Sequence, residues 1–176
     1  MGGSTAGGKK RVVIVMGVAA SGKSTLCRAL VDEFPSYKFL DADDFHSRAN
    51  IEKMRLGRAL DDTDRMPWLE SLNSTLRKES SCVVLACSAL KEAYRIKLGE
   101  GLDLDTVEWV FLDCSEQILD ARIRARPGHF MNPNLIQSQL ETLEPPASAI
   151  RLDADQPVCE LVNSLRGVFT SSEQSL

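Results

Sequence analysis

The sequence predicts a single α/β domain built on a parallel β-sheet with helices on both faces. Five short apolar runs, at 12–16, 38–40, 82–87, 107–112 and 149–152, alternate with longer stretches of helical periodicity, as in parallel βαβ units. The first run passes directly into Gly-Val-Ala-Ala-Ser-Gly-Lys-Ser-Thr at 17–25, a glycine-rich turn between strand and helix. A chain of 176 residues, 43% apolar and 26% charged, suffices for one domain with a sizeable core.

Taken in order, the run 12–16 is unbroken Val-Val-Ile-Val-Met, the pattern of a strand covered on both faces. A helix over 22–33 follows, with Leu26, Leu30 and Val31 on its apolar side. The strand at 38–40 leads to helices at 48–56 and 67–79, and the strand at 82–87 to a helix at 91–98. After the strand at 107–112 come helices at 115–126 and 134–143. The strand at 149–152 is followed by a helix at 157–168. Crossover handedness puts each helix on a face of the sheet. There is no internal repeat, and residues 1–10 and 170–176 read as flexible extensions around a domain spanning 11–169.

A formal net charge of −4 offers no basic surface for nucleic acid or membrane. The apolar runs are strand-sized, and the Gly-rich start has no signal-peptide core, so a cytoplasmic location is expected. Met1-Gly2 opens like a myristoylation site, but Ala6 stands where Ser or Thr is required. The tail Gln174-Ser175-Leu176 lacks the Lys of a peroxisomal signal. Cys27, Cys82, Cys87, Cys114 and Cys159 form no C-x-x-C pair and are expected to be reduced core residues.

The segment 17–25 satisfies G-x-x-x-x-G-K-[ST]. Gly17 and Gly22 let the backbone curl so that successive N–H groups point at phosphate oxygens, and a helix starting near Gly22 adds its positive end. The loop predicts a nucleoside triphosphate held by Gly17, Ala19, Ala20, Ser21, Gly22, Lys23, Ser24 and Thr25. Lys23 reaches the terminal phosphates and Ser24 ligates Mg2+.

Charged residues collect most densely at 41–68. Asp41 and Asp43 follow the second strand, and in extended chain residues two apart share a side. Phosphoryl transfer needs one acid near the metal and another to orient the attacking hydroxyl. The third strand runs from Cys87 into Ser88 with no acid at its end, which leaves the Asp41/Asp43 pair to supply both; a solvated acidic turn is the plainer alternative.

Neither His46 nor His129 has metal-ligand spacing to another His or Cys, so zinc is not expected. Lys91 and Arg95 are four apart, on one helix face, where they either grip an anionic substrate or pair with Glu92 or Glu100. Arg122, Arg124 and Arg126 run into Pro127-Gly128-His129-Phe130, the composition of a phosphate-covering lid at about 122–135 or of a helix end with dipole-complementing cations.

From residue 13 to about 162 the chain resembles gluconokinases of the small phosphate-loop type, within the shikimate-kinase and adenylate-kinase-like group. The matching segments are 16–25, Asp41-Ala42-Asp43-Asp44-Phe45-His46, Asn50 with Lys53-Met54, 62–69, 86–91 with Tyr94-Arg95, Gly128-His129-Phe130-Met131, and Gln137-Ser138-Gln139 leading to 141–146. The resemblance implies ATP-dependent phosphorylation of D-gluconate at its 6-hydroxyl, a five-stranded parallel sheet with a small mobile lid, and a homodimer. It implies that Asp43 engages the acceptor hydroxyl as a catalytic group beside Lys23 and Arg126, and that Asp41 lies nearer Mg2+. It further implies that His46, Lys53, Arg65, Lys91, Arg95 and His129 contact substrate. Arg122, Arg126, Gln156 and Pro157 fall to the nucleotide.

Ser47 and Ala59 stand where many members have Pro, a difference of loop stiffness more than chemistry. A same-group kinase for shikimate or a nucleoside monophosphate is one other reading of the residues. A nucleotide-gated module without turnover is another, although the chain has no N-K-x-D guanine signature.

Overall fold

The computed structural model describes residues 9–125 and 133–170. Five parallel strands, β1 (Val12–Met16), β2 (Tyr37–Asp41), β3 (Cys82–Ala86), β4 (Val107–Asp113) and β5 (Ile150–Asp153), form one sheet in the order β2-β3-β1-β4-β5. The helices are α1 (Lys23–Glu33), α2 (Arg48–Arg55), α3 (Asp62–Lys78), α4 (Glu92–Gly99), α5 (Glu116–Ala125), α6 (Pro133–Thr142) and α7 (Val158–Thr170).

β1 is buried along its whole length, and alternation divides its residues between two cores. Val13 and Val15 join Leu26, Cys27 and Leu30 of α1 and Leu161, Val162, Leu165 and Phe169 of α7. Phe169 closes that layer, stacked on Phe34 with ring centroids 4.6 Å apart. Val12, Ile14 and Met16 face the other way, onto Trp68, Leu69, Leu72 and Leu76 of α3 and Tyr94 and Leu98 of α4. A smaller cluster of Val18, Leu90, Leu119 and Ile136 joins the loop after β1 to α5 and α6.

The expected strands and helices are all present, with ends shifted by a residue or two except at α3. That helix begins at Asp62, five residues before the expected start at Pro67, which lies inside it. The cause is a capping box: Asp61 accepts from the Asp64 N–H at 3.0 Å, and Asp64 accepts from the Asp61 N–H at 2.9 Å. Two satisfied orphan amides start the helix early enough to absorb the one bond Pro67 cannot make. Ser47 caps α2 by accepting from the Asn50 N–H at 3.1 Å.

The strand order places the C-terminal ends of β1, β3 and β2 side by side, with Asp41 in register with Ala86. Open α/β sheets bind ligands outside these ends.

Leu72 is fully buried between α3 and the sheet. Leu72→Ala is therefore expected to cost about 2–5 kcal/mol in denaturant unfolding, the transfer term plus an unfilled cavity. Unchanged stability would mean that α3 does not pack as described.

Candidate active site

The loop after β1 is shaped by backbone geometry. Gly17 has φ +148°, and a Cβ there would meet the Leu112 carbonyl oxygen at 2.9 Å. Gly22, at φ +103°, is the N-cap of α1. Ala20 adopts φ 64° without being glycine, strain of the kind that binding loops carry.

Lys23 is enclosed beneath the loop and donates to the Val18 carbonyl at 2.9 Å. Burial pulls its ammonium below the ordinary lysine value, and the nearby Asp43, Cys87 and Asp41 push back. A partly desolvated cation at the start of a helix, beside a glycine-shaped turn, is suited to receive an anion. Ser21 differs from its neighbours, being 1% exposed with its hydroxyl unpartnered among the described residues and its N–H on the Val18 carbonyl at 3.3 Å. Its carbonyl accepts from Arg122 at 2.8 Å, and Arg122 also donates to the Ala154 carbonyl at 2.6 Å. Arg122 thus straps the loop to the segment after β5. There Gln156 donates to Asp153 at 3.3 Å and the Pro157 carbonyl opens α7.

Ser24 donates its hydroxyl proton to Asp41 at 2.7 Å, joining the first turn of α1 to the end of β2 across the acid-free end of β3. The pair offers one hydroxyl and one carboxylate oxygen, hard donors of the kind Mg2+ accepts while filling its other positions with water and phosphate. Asp41 and Asp43 do not share a side by strand alternation as expected, because β2 ends at Asp41. Ala42–Phe45 is a 3-10 turn capped by Asp41, which accepts from the Asp43 N–H at 3.2 Å. The Asp43 carboxyl group is 89% exposed, open to an incoming acceptor while its charge reaches Lys23.

α3 and α4 supply the rest. Trp68 donates its indole N–H to the Ala42 carbonyl at 2.7 Å, and its ring stacks on His46 with centroids 4.4 Å apart. Lys53 pairs with Asp61 and Asp64. Lys91 pairs with Asp62 at 2.9 Å, and Tyr94 donates to the same carboxylate. Arg65 donates to the Tyr94 hydroxyl at 3.2 Å and lies over the Tyr94 ring. Lys91 and Arg95 do not form one helix face, since Lys91 is the cap of α4 and lies outside it. Neither pairs with Glu92 or Glu100: Arg95 instead donates to the Ala89 and Leu90 carbonyls at 3.0 and 3.2 Å, holding a turn in which Ala89 has φ 42°. Arg126 and His129 lie outside the described residues.

Residues 12–146 match the family described as an AAA domain. The chain is 40% identical over 148 residues to a probable gluconokinase of Dictyostelium discoideum, covering 80% of this chain and 74% of that protein. It is 42% identical over 149 residues to a gluconokinase of Arabidopsis thaliana, covering 76% and 78%. Among solved structures, a gluconokinase from Sinorhizobium meliloti superposes with a TM-score of 0.83 at 39% identity, over 94% of this chain and 97% of that one. The chain belongs to the gluconokinase family. Likeness to a Mycobacterium tuberculosis APS kinase, with a TM-score of 0.65 at 17% identity over 92% and 98% of the two chains, is one of fold alone.

Within this gluconokinase scaffold, one contact has no role in the sequence reading. Gln139 of α6 accepts from the Ala19 N–H at 2.7 Å, holding the phosphate loop from the side. Its only signal in the chain is its place in Gln137-Ser138-Gln139. The expectation that all five cysteines are core residues fails at Cys159, which is exposed on the outer side of α7. The other four are buried or half-buried, and none is in a disulfide.

Burial pushes the Cys87 thiol up to about 12 and raises Cys27 as well. Thiolate is the reactive form, so iodoacetamide at neutral pH is expected to label Cys159 and spare Cys27 and Cys87. Peptide mass mapping checks this, and early loss of Cys27 or Cys87 would contradict the described core.

Proposed function

We propose that the chain catalyses ATP-dependent phosphorylation of D-gluconate at its 6-hydroxyl, giving 6-phospho-D-gluconate and ADP. The observation that carries the substrate is its 40% and 42% identity to proteins named gluconokinase along most of their length. The chemistry rests on Asp43, open to solvent, and on a half-buried Lys23 that its charge reaches.

On this reading the phosphate loop and the first turn of α1 bind ATP, with Lys23 on the terminal phosphates. Ser24 and Asp41 hold Mg2+, which supplies charge neutralisation of the phosphates when bound. The oxygen donor pair at 2.7 Å supports that assignment. Arg122, Gln156 and Pro157 border the nucleotide on the side of β5, and Arg126 completes its phosphate contacts.

Asp43 receives the acceptor hydroxyl. An alcohol holds its proton far more tightly than a carboxylate does, so Asp43 orients the oxygen first. It accepts the proton only as the bond to phosphorus forms. Lys53, Arg65, Lys91, Arg95 and His129 contact the polar groups and carboxylate of gluconate, Arg95 also holding the 89–90 turn in shape. The chain forms one kinase domain over 11–169 with a lid at about 122–135. It works in the cytoplasm as a homodimer, without nucleic acid or membrane partners. The net charge of −4 supports that setting.

A coupled ADP-release assay with Mg-ATP and gluconate, shikimate or AMP tests the substrate. Turnover is expected with gluconate, and turnover with shikimate or AMP alone would contradict the assignment. Asp43→Asn is expected to lower kcat with gluconate by a factor of roughly 100 or more. Near wild-type kcat in that variant would remove Asp43 from its role.

A further inference from the structure

His46 is placed by the family resemblance among the substrate contacts, yet its side chain is only 6% exposed. Three observations describe its setting. Its ring stacks on Trp68 at 4.4 Å and 13°, and Trp68 is itself fixed by its bond to the Ala42 carbonyl. Its Nδ1 is fully buried with no hydrogen-bond partner among the described residues. Its Nε2 lies 4.0 Å from the Asp43 carboxylate.

A neutral imidazole carries one proton. On Nδ1 the proton would be a stranded buried donor, and the bare Nε2 lone pair would face a carboxylate. On Nε2 it points at Asp43, and only an uncharged acceptor is left buried. Electrostatics and desolvation therefore favour the same tautomer. The charged groups facing the ring are Asp43 on its own turn and Arg65 on α3. Burial lowers the His46 pKa most, Asp43 raises it and Arg65 lowers it, so the ring is neutral at pH 7.

We propose that His46 is a positioning residue for Asp43: the Trp68 stack fixes its Nε2 4.0 Å from the carboxylate that receives the acceptor hydroxyl, so that a small rotation of the exposed Asp43 side chain brings it onto the Nε2–H. Asp43 is 89% exposed and, among the described residues, His46 is the one basic side chain that pairs with its carboxylate. The exposed carboxylate has several rotamers open to it, and the fixed imidazole N–H favours the one nearest the ring. The Trp68 contacts thus transmit the rigidity of α3 to Asp43 by two routes, the Ala42 carbonyl and the imidazole. The proposal rests on the gluconokinase reading for the identity of the acceptor, but its structural claim stands apart from that identity.

The test pairs His46→Phe, which keeps a flat ring on Trp68 and loses the N–H, with His46→Gln, whose amide NH2 overlays Nε2. His46→Phe is expected to lower kcat for gluconate roughly tenfold to a hundredfold, the cost of a misplaced catalytic group, with KM changed far less. His46→Gln is expected to recover most of the loss. Two-bond 1H–15N spectra of the wild-type protein at pH 7 are expected to show His46 as the Nε2–H tautomer. A rise in KM at constant kcat would return His46 to direct substrate contact and overturn the proposal. So would wild-type kcat in His46→Phe, failure of His46→Gln to recover activity, or an Nδ1–H tautomer. A wild-type protein that binds ADP without turning over gluconate would refute the substrate assignment alone. In that case, or if His46→Phe fails to bind ADP, the tautomer decides the proposal.

Discussion

The 2.7 Å hydrogen bond from Ser24 to Asp41 is the constraint on which the site depends. It joins a helix that starts after β1 to an acid that ends β2, and those strands are not neighbours. β3 lies between them and ends in Ala86, Cys87 and Ser88, none of which is acidic. Only because the chain crosses over β3's position before returning to fill it does the acid from β2 face the phosphate loop. Parallel strands with crossover helices permit that order. The Asp41 carboxylate then serves twice, accepting from the Ser24 hydroxyl and from the Asp43 N–H, so one side chain fixes both the Ser24 hydroxyl proposed to face the metal and the turn that carries Asp43.

On the proposed function α3 is the platform for the acceptor half. Its cap Asp61 and first-turn Asp62 and Asp64 stabilise the positive amide end of the helix and at the same time hold Lys53 and Lys91. One turn later Arg65 and Trp68 reach Tyr94 and the Ala42 carbonyl. Lys53, Lys91 and Arg65 therefore carry intramolecular carboxylate or phenol partners. On the proposed function, an incoming substrate carboxylate meets groups already oriented and competes with Asp62 for Lys91. Arg95 donates from Nη1 to the carbonyls of the turn that places Ala89, which leaves its Nε and Nη2 donors uncommitted by these bonds.

How far the sequence revealed this differs by residue type. The central strands were legible because a strand buried on both faces must be apolar throughout, as Val12–Met16 is. The phosphate loop was legible because its glycines satisfy a backbone requirement that few other residues meet. The start of α3 was not, because Pro67 masked a helix whose initiating signal is the reciprocal Asp61 and Asp64 bonds. Asp41 and Asp43 were legible as acids, whereas their relation was misread, since strand alternation stops where the 3-10 turn begins. Gln139 and Arg122 act on backbone groups distant in sequence, and such contacts leave no periodic signature. Cys159 was misjudged because thiol burial depends on which side of α7 faces the sheet.

The claim that Asp41 links metal to nucleotide is tested most directly by calorimetric titration of ADP, with and without Mg2+, into the wild-type protein and Asp41→Asn. The account predicts that Mg2+ strengthens ADP binding to the wild-type protein, and that Asp41→Asn loses this strengthening while keeping the metal-free affinity. An Asp41→Asn protein with the full Mg2+ effect would contradict it.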